Sequence, residues 1–324
     1  MQSKSKNAAS ASGSALTNAA ILLTLTLVTM LYAMTVTIAN VSLPQIKGAL
    51  SATTDEIALI ITFNIIATAV ATPMTGWLST RFGRRNTLVW AVIGFTVSSF
   101  LCGTATSLEQ LVFYRFLQGA CGAPLPPLCQ AIVVDAYPKE KIGQANAIFG
   151  MGVVLGPILA PTIGGYLSET YSWRWVFYMM VPCGLASLIG VLIFIRSHVA
   201  DKRADLDWTG FISLAVAIAA FQFMLDRGER LDWLDNWQIV ACAIAAVTGL
   251  YIFITHSLTS DRPFLNPRLL LKRNYALGLL IAFIFGLLNF TPITLIPALL
   301  QTLRGYPDSI VGLILGIRGT GTLL

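Results

Sequence analysis

One apolar stretch of the sequence contains an arginine, where a charged side chain is unusual. In RFLQGACGA, the residues Arg115, Gln118, Gly119 and Gly122 are spaced i, i+3, i+4 and i+7, so a helix places them on one face. A cation about 10 Å along a helix inside a bilayer is costly unless it faces other helices or a water-filled cavity. The spacing therefore predicts that this face points into a helix bundle. An arginine that extends to the outer interface is the alternative.

A second arginine, Arg318, occurs in LGIRGTGTLL near the end of the sequence. It lies about 13 Å along the last apolar segment. We expect Arg318 to face a central cavity, where it pairs with an acid of a further helix or contacts an anionic group of a substrate. An ion pair that only stabilises the fold is the alternative.

The acidic residues fall in loops or at the predicted ends of apolar segments; Asp135, for example, closes the fourth segment. His198 and His256 also fall at segment ends. Proton exchange inside a membrane usually uses Asp, Glu or His. If the protein exchanges protons, we therefore expect the proton site beyond Leu324 or, as the alternative, around Arg115 with Asp135 as a peripheral acid.

Catalysis would need His, Cys, Asp or Glu side chains within reach of one another. The two histidines are far apart, and the five cysteines lie in apolar runs without a Cys-x-x-Cys pair. The sequence therefore predicts that the protein is not an enzyme and that it has no metal site and no cofactor.

The stretch GMGVVLGPILAPTIGG combines small residues with prolines. Gly152, Gly156 and Ala160 form a stripe at i, i+4 and i+8, which allows close packing of another helix. Prolines lack a backbone donor and bend helices. The two prolines of this stretch are Pro157 and Pro161, and the glycine pair Gly164 and Gly165 follows them.

The stretch GWLSTRFGRRN is the most basic part of the first hundred residues. Its glycines are expected to permit a tight turn, and its arginines to hold that turn at one membrane surface. The residues that we assign to this turn are Gly76, Thr80, Arg81, Gly83, Arg84 and Arg85.

The elements that position these residues follow from composition. Of the 324 residues, 56% are hydrophobic and 11% are charged, against about 25% charged in soluble domains. Apolar runs of about 20 residues cross a bilayer as helices, because lipid offers no backbone partners. We therefore predict an all-α, multi-pass membrane protein. The predicted segments are 19–41, 56–78, 87–106, 108–133, 142–167, 175–195, 209–225, 237–257, 275–301 and one that begins near 309.

Orientation follows from the basic residues. If the N-terminus is cytoplasmic, most of the 21 Lys and Arg residues fall in loops on the cytoplasmic side, as the positive-inside rule requires. The expected location is the cytoplasmic (inner) membrane.

Several of these motifs resemble those of a known family. The Gly-x-Leu-x-x-Arg-x-Gly-Arg-Arg turn, the RFLQGACGA helix and the Gly-x-x-x-Gly-Pro stretch resemble motifs of the major facilitator superfamily. TVTIANVSLP, SWRWVFYMMVP and LDRGERLDW further resemble the 14-helix drug–proton antiporters of the EmrB and QacA type. The chain departs from that pattern at Thr80 and Thr35, where the family often has Asp, and at Met180, where it has Asn.

The resemblance implies a major facilitator fold. Its expected divisions are a cytoplasmic N-terminal tail (1–18), an N-terminal six-helix bundle (19–195), a linker with two inserted helices (196–257) and the incomplete start of a C-terminal bundle (258–324). It implies a proton-driven exporter of lipophilic or amphipathic compounds that works by alternating access. Arg115 would take part in proton transfer, the basic turn would latch the cytoplasmic side, and the Gly-Pro helix would be a kinked gating helix. We accordingly expect the chain to be incomplete.

The expected partners are a small-molecule substrate, protons and the lipid bilayer, with no nucleic acid. In organisms with two membranes, the resemblance also implies a periplasmic adaptor protein. Two alternatives stay open: an exporter of a specific metabolite or siderophore, and a non-transporting membrane sensor or scaffold of the same fold.

Overall fold

The computed structural model describes residues 2–196 and 205–320, and all regular structure in these two ranges is helical. The α-helices are α1 (Gln2–Ala49), α2 (Thr54–Ala71), α3 (Met74–Phe82), α4 (Arg84–Thr104), α5 (Leu108–Gly122), α6 (Leu125–Ala136), α7 (Ile142–Thr170), α8 (Arg174–Tyr178), α9 (Met180–Phe194), α10 (Trp208–Arg227), α11 (Trp237–Thr259), α12 (Arg273–Ala298) and α13 (Asp308–Thr320).

Eight spans in the described part of the chain are long and apolar enough to cross a membrane. They coincide with the first eight predicted segments, which confirms the multi-pass, all-α prediction. α5 and α6 together form the fourth span, and α8 and α9 together form the sixth. α12 and α13 occupy the positions predicted for the ninth and tenth segments.

Helix boundaries differ from the predicted segments at several places. α1 begins at Gln2, well before the predicted first apolar segment (19–41), so the polar N-terminal sequence extends the first helix. The predicted second segment is divided at Pro73, and the fourth at Pro124. Each proline lacks the N–H that would continue the helical hydrogen bonds, which explains why the division falls there.

The main core lies where α1, α4, α6, α7 and α9 meet. It is built from fully buried apolar side chains of these helices, among them Leu25, Phe95, Val133, Ala160 and Val191. α1 packs along α7 over much of its length, and α2 and α4 both pack on α5. This arrangement puts α5, with Arg115, between two neighbours.

α10 and α11 pack on each other, and α10 also lies against α2. At that contact Asp226 accepts a hydrogen bond from Thr62, and Arg230 Nη1 lies 2.9 Å from Asp55 Oδ1. Arg227 donates to the carbonyl oxygen of Asp55 at 3.0 Å. The helix pair is therefore attached to the first bundle through the N-terminal half of α2.

Candidate functional site

Arg115 is buried in the bundle, with 1% of its surface exposed. It is the only Lys, Arg, Asp or Glu classed as buried among the described residues. Its Nη1 atom donates to Gln118 Oε1 at 2.6 Å, and Gln118 Nε2 donates to Ser99 Oγ of α4 at 2.7 Å. The expectation that the Arg115 face points inward is confirmed, and this face carries a hydrogen-bonded chain into α4.

α2 closes the other side of the same face. Asn64 Nδ2 donates to the carbonyl oxygen of Arg115 at 2.8 Å, and Thr68 Oγ1 donates to that of Gly119 at 3.2 Å. A Cβ atom at Gly119 would lie 3.0 Å from Asn64 Nδ2 and from Thr68 Oγ1. Gly119 is therefore required for α2 to approach α5 closely enough to make these bonds.

The Arg115 charge has aromatic and neutral neighbours. Its guanidinium carbon lies 5.8 Å from the centre of the Phe177 ring, within the range of a cation–π contact. Its Nε atom is buried without a hydrogen-bond partner, and none of the ion pairs in the described part of the chain involves Arg115. A buried cation of this kind is costly to maintain, which is typical of functional residues in membrane spans.

The basic turn is shorter than the sequence indicates. Residues from Met74 to Phe82 form α3, and α4 begins at Arg84, so the turn itself is the single residue Gly83. Gly83 has a φ of +83°, which favours glycine, and its role in a tight turn is confirmed. The expectation that Gly76 also permits the tight turn is wrong, because Gly76 lies within α3. An added Cβ there would meet nothing within 4 Å, so no close approach requires glycine either.

The polar residues around this turn make defined contacts. Arg84 forms an ion pair with Asp135 at the end of α6, and Arg85 Nη2 donates to the carbonyl oxygen of Leu192 in α9 at 3.0 Å. Thr80 Oγ1 donates within its own helix, to Gly76 O at 3.0 Å. The link from the turn to α6 is therefore made by Arg84. Arg81 lies half-buried in the last turn of α3.

The structure separates Asp135 from Arg115, so the alternative that placed them in one site is wrong. Twenty positions of a span separate the two residues, or about 30 Å of helix, and each has another partner. Arg318 belongs to α13, but its side chain lies outside the described part of the structure. His198 lies outside the described residues altogether.

The small-residue stripe of α7 faces α1. At Gly156 an added Cβ would lie 2.8 Å from the carbonyl oxygen of Met30 and 3.3 Å from Ala33 Cβ. Gly152 and Gly164 face Thr26 and Ile38 of α1 with even less room. The predicted close packing is confirmed. Gly165 is buried, and the helix continues through Pro157 and Pro161.

Another part of α7 contacts α13. Gly312 lies against the backbone of Pro161, so closely that a Cβ would be 2.7 Å from the Pro161 carbonyl carbon. Thr162 Oγ1 donates to Gly312 O at 3.1 Å. α7 therefore lies between α1 and α13. Its glycines face α1, and its Pro161 backbone faces Gly312 of α13.

Sequence reasoning missed a polar junction at the end of the α10–α11 pair. Asp207 caps α10 through the Gly210 N–H at 2.9 Å, lies 2.8 Å from His256 Nε2 of α11, and accepts the Phe264 N–H at 3.0 Å. Burial opposes ionisation of this carboxyl, but the three donors outweigh burial and hold the pKa of Asp207 below its ordinary value. An aspartate directly before an apolar helix is the signal that identifies such a cap.

The described residues contain no group of three or more His, Cys, Asp or Glu side chains arranged to hold a metal ion. The five cysteines are unpaired. The chemistry that this site offers is therefore hydrogen bonding and charge around Arg115.

This architecture defines a multi-pass helical membrane protein with a buried arginine at its centre. The chain belongs to the Major Facilitator Superfamily, whose sequence pattern matches residues 25–323. The crystal structure of the peptide transporter POT matches 92% of this chain and 65% of its own, with a TM-score of 0.63 and 15% identity. That likeness supports the fold.

Two curated relatives are more similar in sequence. Multidrug export protein EmrB of Escherichia coli (strain K12) is 36% identical over 290 residues, which are 89% of this chain and 57% of that protein. Fatty acid resistance protein FarB of Neisseria gonorrhoeae is 36% identical over 278 residues, which are 86% of this chain and 55% of that protein. These relatives confirm the resemblance to EmrB-type members. The chain spans less than two thirds of either relative.

Proposed function

We propose that the protein is a proton-coupled efflux transporter that exports lipophilic or amphipathic compounds by alternating access. It would lie in the cytoplasmic membrane with a cytoplasmic N-terminus, take substrate from the cytoplasm or the inner leaflet, and use the proton gradient without a cofactor. Support comes from relatives named multidrug export protein EmrB and, at 34% identity, probable multidrug resistance protein EmrY.

The observation that carries the proposal is the position of α7. Its glycines touch α1, and its Pro161–Thr162 backbone touches Gly312 of α13. Alternating access requires two bundles that move against each other around a central site. At the contact with α13, a glycine lies against the Pro161 backbone, so no large side chain has to be displaced at that point when the bundles move.

Arg115 supplies the charge in this mechanism. Because its guanidinium already interacts with Gln118 and Phe177, a proton that arrives nearby, or an anionic group, would change the electrostatics of a network that links α2, α4 and α5. Arg115 keeps its own proton, since a guanidinium is not deprotonated in proteins.

The Arg84–Asp135 pair would latch α4 to α6 on the cytoplasmic side while the transporter is closed there. Both side chains are more than one third exposed, at 39% and 41%. Exposed ion pairs typically contribute about 0–1 kcal/mol, so such a latch is weak enough to open in each cycle.

The test is drug accumulation in cells that lack their own efflux pumps. Expression of the protein is expected to lower the accumulation of several unrelated dyes and quaternary ammonium compounds. Export of one metabolite or siderophore alone would instead indicate the specific exporter, and unchanged accumulation across a broad panel would indicate the sensor or scaffold. In an organism with two membranes, co-purification with a periplasmic adaptor tests that further partner.

A further inference from the structure

A cavity of about 580 Å³ lies at the end of the bundle that carries Gly83 and the beginning of α4. Residues from four helix ends line it: the beginning of the apolar part of α1, the beginning of α4, the end of α6 and the end of α9. Since these are all ends of membrane spans, the cavity lies at the level of the membrane surface.

The lining of the cavity is positively charged. It contains Arg84, Arg85 and Arg196 but a single carboxylate, Asp135. Because Asp135 is paired with Arg84, the charges of Arg85 and Arg196 are not balanced within the lining. Arg85 Nη2 donates one hydrogen bond to Leu192 O, and the buried Nε atom of Arg85 has no partner. The remaining N–H groups of the Arg85 and Arg196 guanidinium groups are the donors available to an anion.

The rest of the lining is largely apolar. Ile21, Ile132, Phe194 and Ile195 contribute side chains next to the arginines. A guanidinium matches the geometry of a phosphate, and basic pockets between spans at a membrane surface suit lipid headgroups. A phosphate dissolved in water would use the arginines alone, whereas a lipid would use the apolar wall as well.

We propose that this cavity binds the phosphate headgroup of an anionic membrane lipid, with Arg85 and Arg196 as its ligands and the first part of an acyl chain against Phe194 and Ile21. The proposal does not depend on the transported substrate. A bound headgroup would supply the negative charge that the lining lacks and hold the ends of α4 and α9 together.

The experiment measures lipid adducts on the purified protein by native mass spectrometry. Phosphatidylglycerol is compared with zwitterionic phosphatidylcholine and with inorganic phosphate as a competitor. The variants are Arg85→Gln, Arg196→Gln and the double variant. Arg81→Gln is the matched control, because it removes the same charge four residues before Arg85, at the end of α3, yet Arg81 does not line the cavity.

We expect phosphatidylglycerol to bind more tightly than phosphatidylcholine and each lining variant to weaken it about five-fold, the effect of one basic residue near an anionic membrane surface. Arg81→Gln should weaken binding much less than either lining variant, because Arg81 does not line the cavity. Arg196→Gln keeps the test valid if Arg85→Gln misfolds, since Arg196 is exposed. Equal binding of both lipids, equal weakening by Arg81→Gln, or displacement of the lipid by millimolar inorganic phosphate would overturn the proposal.

Discussion

Arg115 donates to Gln118 one turn further along the same helix, and the 2.6 Å bond joins the buried cation to a chain that ends on Ser99 of α4. The guanidinium therefore does not compensate an acid; it is held by a neutral amide inside the bundle. This relationship separates a role in transport from a role in stability, because the two roles predict different effects of substitution.

Substitution of Arg115 by Met is expected to abolish transport and to leave Gln118 Oε1 without a donor. An unsatisfied buried polar group costs about 1–3 kcal/mol. The double variant Arg115→Met/Gln118→Leu removes both groups, so its unfolding midpoint should recover part of that loss while transport stays absent. Thermal unfolding and dye efflux measure the two effects. Efflux that recovers together with stability would contradict a transport role.

The sequence predicted the Arg115 face and the α7 stripe because both depend on the period of a helix, which residue spacing reveals. It could not show that Asp135 pairs with Arg84. The partners of a side chain depend on how helices pack, and residues far apart in sequence meet only in three dimensions. The contacts of Asn64 and Ser99 with the Arg115 helix were missed for the same reason.

The role of Asp207 as the cap of α10 and the centre of the polar junction was missed for another reason. A single aspartate before an apolar run is a weak signal until the helix and its neighbours are known. The junction joins that cap to His256 and to the Phe264 N–H, which lie 49 and 57 residues further along the chain.

The α7 stripe is tested with alanine. Gly156→Ala is expected to destabilise the protein by about 1–3 kcal/mol, because overpacking forces α7 away from Met30. Gly150→Ala in the same helix is the matched control, since a Cβ there meets nothing within 4 Å. Alanine at that open position should be neutral or should stabilise the helix by about 0.5–1 kcal/mol. Equal effects of the two substitutions on the unfolding midpoint would refute close packing at Gly156.

The latch is tested with a charge exchange. Arg84→Asp and Asp135→Arg should each weaken the protein slightly, and the combination should recover a coupling energy of about 0.2–1 kcal/mol. Thr80→Ala is the control, because Thr80 bonds only within α3 and its loss should stay within about 0.5 kcal/mol. A double-mutant cycle of unfolding midpoints measures the coupling, and a value of zero would show that the pair is not a latch.

The Asp207 junction predicts a dependence on pH. The pKa of Asp207 is lower in the folded protein than its ordinary value of 3.8, so the ionised form is favoured by folding. The stabilisation is present above pH 3.8 and is lost as the pH falls through the folded pKa. Asp207→Asn should lower the unfolding midpoint near pH 6, and this effect should shrink as the pH falls through the folded pKa of Asp207.

Asp205→Asn is the matched control for this profile, because Asp205 is exposed and lies two residues before the cap. Its unfolding midpoint should follow that of the unaltered protein at every pH. A pH profile for Asp207→Asn that runs parallel to that of the unaltered protein would exclude a contribution from ionised Asp207.

Exchange of protons for substrate is the central claim. The most direct measurement follows internal pH with a fluorescent dye in inside-out membrane vesicles that contain the protein. With a proton gradient imposed, addition of a transported quaternary ammonium compound should release protons from the vesicles, and Arg115→Met should abolish that release. Substrate uptake that continues at the same rate after a protonophore has collapsed the gradient would contradict the account.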